Sequence, residues 1–112
     1  MFLGIKEIEA GELAQRVATQ TNLPKIIDVR EMSEIQGGTI PGAIPMPLAT
    51  VPLRLNEIEH NEEIVLVCRS GARSAQACMF MQQQGFKKVY NLRGGMFAWA
   101  GTGQPIGLPQ AV

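Results

Sequence analysis

Cysteine is scarce in this chain, which holds only Cys68 and Cys78. Two thiols cannot build the framework of a disulfide-dense secreted domain. Histidine is scarcer: His60 stands alone, and no C-x-x-C pair accompanies it. With so few ligands, no metal site is expected. Net charge is absent, because ten Lys and Arg balance ten Asp and Glu. A neutral chain lacks the basic surface that holds a phosphate backbone, so no nucleic-acid partner is expected. Long apolar runs are also missing. No stretch approaches the roughly 20 apolar residues of a membrane span. The opening MFLGIKEIEAGEL reaches Lys6 too early for a signal peptide. The expected setting is soluble, reducing and cytoplasmic, with no membrane partner.

What is present suffices for one domain over residues 1–112, since 46% of the residues are hydrophobic and can form a core without staples. GIKEI reads as a short strand and GELAQRVATQ as an amphipathic helix, with Leu13 and Val17 on one face and Glu12 and Arg16 on one face. KIIDV reads as a buried strand interrupted by Asp28 near its end. Ser33 and Glu34 allow one helical turn before Gly37 and Gly38 stop it. AIPMP is extended, and its prolines confine it to a sheet edge. Pro52 damages the helical period of LATVPLRLNEIEH. EIVLVC is the strongest strand. SAQACMFMQQQGF is the strongest helix, stopping at Gly85. KKVYNL is a last strand, RGGMFAWAGTG a last short helix opened by glycines, and residues 104–112 an irregular tail. Alternating strands and helices predict an α/β fold: three layers, α/β/α, with about five mostly parallel strands and helices on both faces.

Cys68 falls where the strongest strand ends, and sites in open α/β sheets gather at the carboxyl ends of strands. The turn that follows, with Gly71, aims backbone N–H groups inward as an anion-binding nest, and a helix start adds its dipole. Arg69 and Arg73 add positive charge. Such settings lower a thiol from about 8.5 to roughly 3.5–7.5. A free cysteine is more often a small buried hydrophobe. Here the Gly, two Ser and two Arg of CRSGARS would line a core poorly, so Cys68 is read as the nucleophile. Cys78, among Ala77, Met79 and Phe80, is read as core filler.

The chain also resembles a family. CRSGARS after a hydrophobic strand is similar to the active-site loop of rhodanese-like domains, the sulfurtransferase family. IIDVREMSE resembles the family's Asp-x-Arg segment with a downstream Glu. GGTIPGAIPMPL resembles its Gly-His-Ile-Pro-Gly-Ala segment, and VYNLRGGMFAWAGTGQPI its Leu-x-Gly-Gly-x-x-x-Trp segment. These motifs follow the family's order over roughly residues 26 to 106. Thr39 stands where His is common, Ile35 where an aromatic is common, and Ala72 where a polar residue is common.

The resemblance implies a sulfurtransferase of the thiosulfate type. In it the Cys68 thiolate takes sulfur from a small anionic donor and passes it to cyanide or a thiol, a protein thiol included. It implies no cofactor. Cys68 carries the persulfide, and Arg69, Ser70, Gly71, Ala72 and Arg73 bind substrate, Arg73 more than Arg69. Asp28 and Arg30 are expected to brace the catalytic loop by charge-assisted hydrogen bonds. Gly94 and Gly95 are expected to let the backbone approach that loop. Trp99 and Phe97 are read as core packing, and His60 as a solvated loop residue.

Three other readings compete. Cysteine phosphatases similar in fold or chemistry place five residues between Cys and Arg, whereas four lie between Cys68 and Arg73. A non-catalytic sulfur-carrier or binding module of the same fold is the second, though inactive members usually lack the cysteine. A redox sensor pairing Cys68 with Cys78 is the third, and it needs Cα atoms within about 7 Å.

Overall fold

The computed structural model describes residues 4–110. Five strands form its sheet: β1 (Lys6–Ile8), β2 (Lys25–Asp28), β3 (Ile44–Pro45), β4 (Ile64–Val67) and β5 (Val89–Leu92). Five α-helices accompany them: α1 (Ala10–Thr19), α2 (Met32–Gln36), α3 (Val51–Arg54), α4 (Ala72–Gln83) and α5 (Gly95–Ala100). The strand order is β1-β5-β4-β2-β3, and every neighbouring pair is parallel. The α/β expectation holds. The proline-bearing strand lies at the edge, where a missing N–H breaks no ladder.

Strand alternation splits the core into two layers. Ile64, Leu66 and Cys68 face a cluster with Val51, Ala77, Cys78, Met81 and Phe86, from α3, α4 and the chain after it. Val65 and Val67 face the other cluster, with Leu13 of α1 and Met96 and Trp99 of α5. Each fully buried aliphatic side chain contributes about 1.5–3 kcal/mol by leaving water. The 48–57 segment is broken as Pro52 predicts, with 3-10 turns at Leu48–Thr50 and Leu55–Glu57 on either side of α3.

Some details refine or correct the expectation. Helix α4 starts at Ala72, not Ser74, because Gly71 at φ 108° serves as its N-cap. Phe97 is 63% exposed, whereas Trp99 is fully buried as expected. The C-terminal tail is irregular but fastened. Thr39 and Gly107 exchange two backbone hydrogen bonds at 3.0 and 2.8 Å, and Gln110 N–H donates to Ala43. His60 is exposed, but its ring stacks on Phe86 and lies 3.1 Å from the Gln84 carbonyl.

Topology creates the crevice. β2 leads outward to β3 and β4 leads the other way to β5, so the loops after these adjacent strands diverge. Asp28 ends β2, and Cys68 follows β4.

Candidate active site

Cys68 continues the inward-facing set of Ile64 and Leu66 and is fully buried. The chain then turns through Ser70 and Gly71 into α4. Gly71 N–H donates to Cys68 Sγ at 3.0 Å. Ser74, on the first turn of α4, places its hydroxyl 3.3 Å from the same sulfur. Burial pushes the Cys68 thiol up, but the Ser74 hydroxyl and the backbone N–H groups of Ser74, Gly71 and Ser70 outweigh it, leaving the thiol below its ordinary value. Cys78 has no such donors. Burial first, then the negative charges of Glu7 and Cys68, push it up to about 12. Both cysteines are free thiols.

The loop is held from two sides. α5 lays its first turn against the loop carbonyls: Met96 N–H donates to Cys68 at 2.8 Å and Phe97 N–H to Arg69 at 3.2 Å. This approach needs Gly95, because a Cβ there would sit 2.4 Å from the Cys68 carbonyl oxygen. From β5, Asn91 Nδ2 donates to the Gly71 carbonyl at 3.0 Å, and Asn91 Oδ1 accepts from Ser74.

The two arginines of the loop have different surroundings. Arg73 is paired, and its charge still acts on the Cys68 sulfur. It reaches to Glu34 of α2 with two hydrogen bonds, at 2.8 and 3.0 Å. The Arg73 guanidinium holds the Glu34 carboxyl down at about 2. Arg69 lies over the Phe97 ring, 5.1 Å from its centroid. Arg16, Arg30, Arg54, Arg73 and Arg93 each meet a carboxylate; among the described residues Arg69 meets none.

Asp28 and Arg30 brace a different loop from the one expected. Arg30 pairs with Asp28, with contacts of 2.8 to 3.1 Å, and donates to the Gly38 carbonyl at 2.7 Å. Thr39, fully buried, donates its hydroxyl to Asp28 Oδ2 at 2.7 Å. The pair's hydrogen bonds therefore fix residues 38–39, while the Asp28 charge acts on Arg73 of the catalytic loop. Thr39 satisfies the carboxylate with its hydroxyl.

Ser74 and Asn91 were not singled out from sequence. Ser74 is the second serine of CRSGARS. Asn91 is an amide inside the apolar strand β5, a signal that a buried polar partner is near. Among the described residues, no cluster of His, Cys, Asp and Glu could hold a metal, and no helix is long and apolar enough to cross a membrane.

The chain is a parallel sheet with one buried cysteine at a strand's carboxyl end, its sulfur met by the Gly71 N–H and the Ser74 hydroxyl. Residues 9–102 match the model of the rhodanese-like domain family. A sulfurtransferase of Allochromatium vinosum is 43% identical over 106 residues, covering 95% of this chain and 98% of that protein. The thiosulfate sulfurtransferase GlpE of Pseudoalteromonas translucida is 35% identical, covering 66% and 70%. The crystal structure of a rhodanese-like domain protein from Staphylococcus aureus superimposes with a TM-score of 0.83 at 32% identity, covering 93% and 98%. The chain belongs to the rhodanese-like domain family.

Proposed function

We propose that this protein is a sulfurtransferase that carries a sulfane sulfur as a persulfide on Cys68. The observation that carries the reading is the Cys68 sulfur itself, which receives the Gly71 N–H at 3.0 Å and lies 3.3 Å from the Ser74 hydroxyl. These donors favour thiolate, and a thiolate is the attacking species. The thiolate attacks the outer sulfur of thiosulfate or of a persulfide. A Cys68–sulfur bond forms, and the donor's S–S bond breaks. The donor remnant, sulfite from thiosulfate, leaves with the electron pair. Cyanide or a thiolate then attacks the outer sulfur of the Cys68 persulfide, and Cys68 leaves as thiolate. No net oxidation occurs and no cofactor takes part.

Anionic donors are drawn in by Arg69, whose charge no carboxylate neutralises among the described residues, while Arg73 holds α2 through Glu34. The partners are thus a small anionic sulfur donor and a cyanide, small-thiol or protein-thiol acceptor.

Incubation with thiosulfate alone should add one sulfur atom to Cys68, read by mass spectrometry. Cyanide should then remove it as thiocyanate. Cys68→Ser should abolish both steps, and Cys78→Ser should spare both. Thiocyanate formation at the wild-type rate by Cys68→Ser would refute the assignment. Sulfur uptake from none of thiosulfate, glutathione persulfide and 3-mercaptopyruvate would instead favour a non-catalytic binding module.

A further inference from the structure

Ser74 has one hydroxyl proton and two acceptors within reach. Asn91 Oδ1 is the nearer, and Cys68 Sγ is 3.3 Å away. All three side chains are buried, Asn91 being 1% exposed and the others 0%, so bulk water does not relieve the competition. The Asn91 amide has a defined orientation. Its Nδ2 donates to the Gly71 carbonyl, and a flip would set Oδ1 against that carbonyl. Oδ1 therefore faces Ser74 as a fixed acceptor.

We propose that Asn91 is a positioning residue for Cys68: it competes with the sulfur for the Ser74 proton, so the hydroxyl turns to sulfur only when the sulfur is anionic. While Cys68 is a thiol, Ser74 donates to Asn91, and its oxygen is open to the S–H. Once the thiol proton has left to solvent, the sulfur becomes a competing acceptor, and turning the hydroxyl to it leaves Asn91 Oδ1 without a partner. The thiolate is thereby less stabilised than a freely donating Ser74 would make it. A less stabilised thiolate is a stronger nucleophile, because thiolate reactivity falls as thiol acidity rises. The inference serves the sulfur-transfer reading but is tested without sulfur transfer.

The test is the pH profile of Cys68 alkylation by iodoacetamide, with the adduct localised by mass. Ser74→Ala should raise the midpoint. Asn91→Leu should free the Ser74 hydroxyl, lower the midpoint by about half to one pH unit, and reduce the high-pH rate plateau about two-fold. In the S74A background, Asn91→Leu should produce no such lowering. The charged groups around the cluster are the same in every variant: Arg69 beside Cys68, Arg73 with Glu34, Asp28 with Arg30, and Glu7 and Arg93, which share a surface groove with Asn91. Asn91→Ala is carried in parallel in case the leucine does not fold, with circular dichroism checking each variant. An equal shift with and without Ser74 would make Asn91 a loop brace only and overturn the proposal, as would no shift or a rise with Ser74 present. Loss of sulfur transfer with this coupling intact would count against the sulfurtransferase reading instead.

Discussion

Arg73, five residues after Cys68, is clamped to Glu34, 39 positions earlier in the chain. The clamp joins α4 to α2 across the crevice mouth. It leaves Arg69 as the loop cation available to an arriving anion. Arg69→Ala should therefore raise the thiosulfate KM more than Arg73→Ala does, in steady-state assays of thiocyanate formation. Added salt should weaken thiosulfate use by the wild type and have less effect on Arg69→Ala.

Glu34 also makes stability depend on acidity. Its folded-state carboxyl is lowered from the ordinary 4.5 to about 2. A depressed carboxyl stabilises the fold above its unfolded value, and that contribution is lost as pH falls from about 4.5 toward 2. The pair is part-exposed, so Glu34→Gln should cost only about 1 kcal/mol at neutral pH. Urea unfolding at neutral and acid pH should show the wild type and Glu34→Gln converging at the acid end.

The two cysteines should separate cleanly in alkylation. Cys68 is held below the ordinary thiol value and should react at neutral pH, losing reactivity only as pH drops through its depressed value. Both are fully buried, so acidity separates them: Cys78 is pushed up to about 12 and should react only after unfolding. Peptide mapping after timed alkylation reads both.

Two glycines shape the loop in different ways. Gly71 sits at φ 108°, yet an added Cβ would meet nothing closer than 3.6 Å, so its constraint is conformational. Gly95 sits at φ 57° and would press a Cβ into the Cys68 and Arg69 backbone. Gly95→Ala should cost about 2–3 kcal/mol in urea unfolding. Gly71→Val should cripple sulfur transfer while largely preserving the fold, read by activity beside circular dichroism.

Asp28 and Arg30 form a buried pair that Thr39 completes. Asp28→Ala strands the guanidinium of Arg30, which is 7% exposed, and should cost about 3–5 kcal/mol. Thermal unfolding measures it.

The sheet and its helices were legible because β-branched runs alternate with helix-forming ones, and because Pro45 and Pro52 mark an edge and a break. The place of Cys68, at a strand end before a turn, was legible because apolar EIVLV gives way abruptly to CRSGARS. Less legible were the directions of long side chains. Arg73 can fold back or reach outward, and only the packing of α2 beside α4 places Glu34 in its path. The partner of Asp28 and Arg30 was misread for the same reason, since strand-end position does not say which neighbouring loop a side chain meets. Phe97 was misread because α5 is too short to show which of its aromatics faces the sheet. Asn91 gave a faint signal, an amide in an apolar strand, whose meaning required knowing what lies across from β5.

Among the described residues, β1 pairs with β5 alone, the first strand with the last, and Lys6 Nζ reaches the Lys87 carbonyl, 81 residues away. Leu13 of α1 shares its cluster with Leu92, Met96 and Trp99. On the ribosome, β1 emerges long before β5, its partner in the sheet. The sheet cannot be laid down in the order of synthesis, and closing so long a loop is slow. A nascent chain halted before Val89 carries an uncovered apolar stripe, a natural substrate for chaperones or for aggregation.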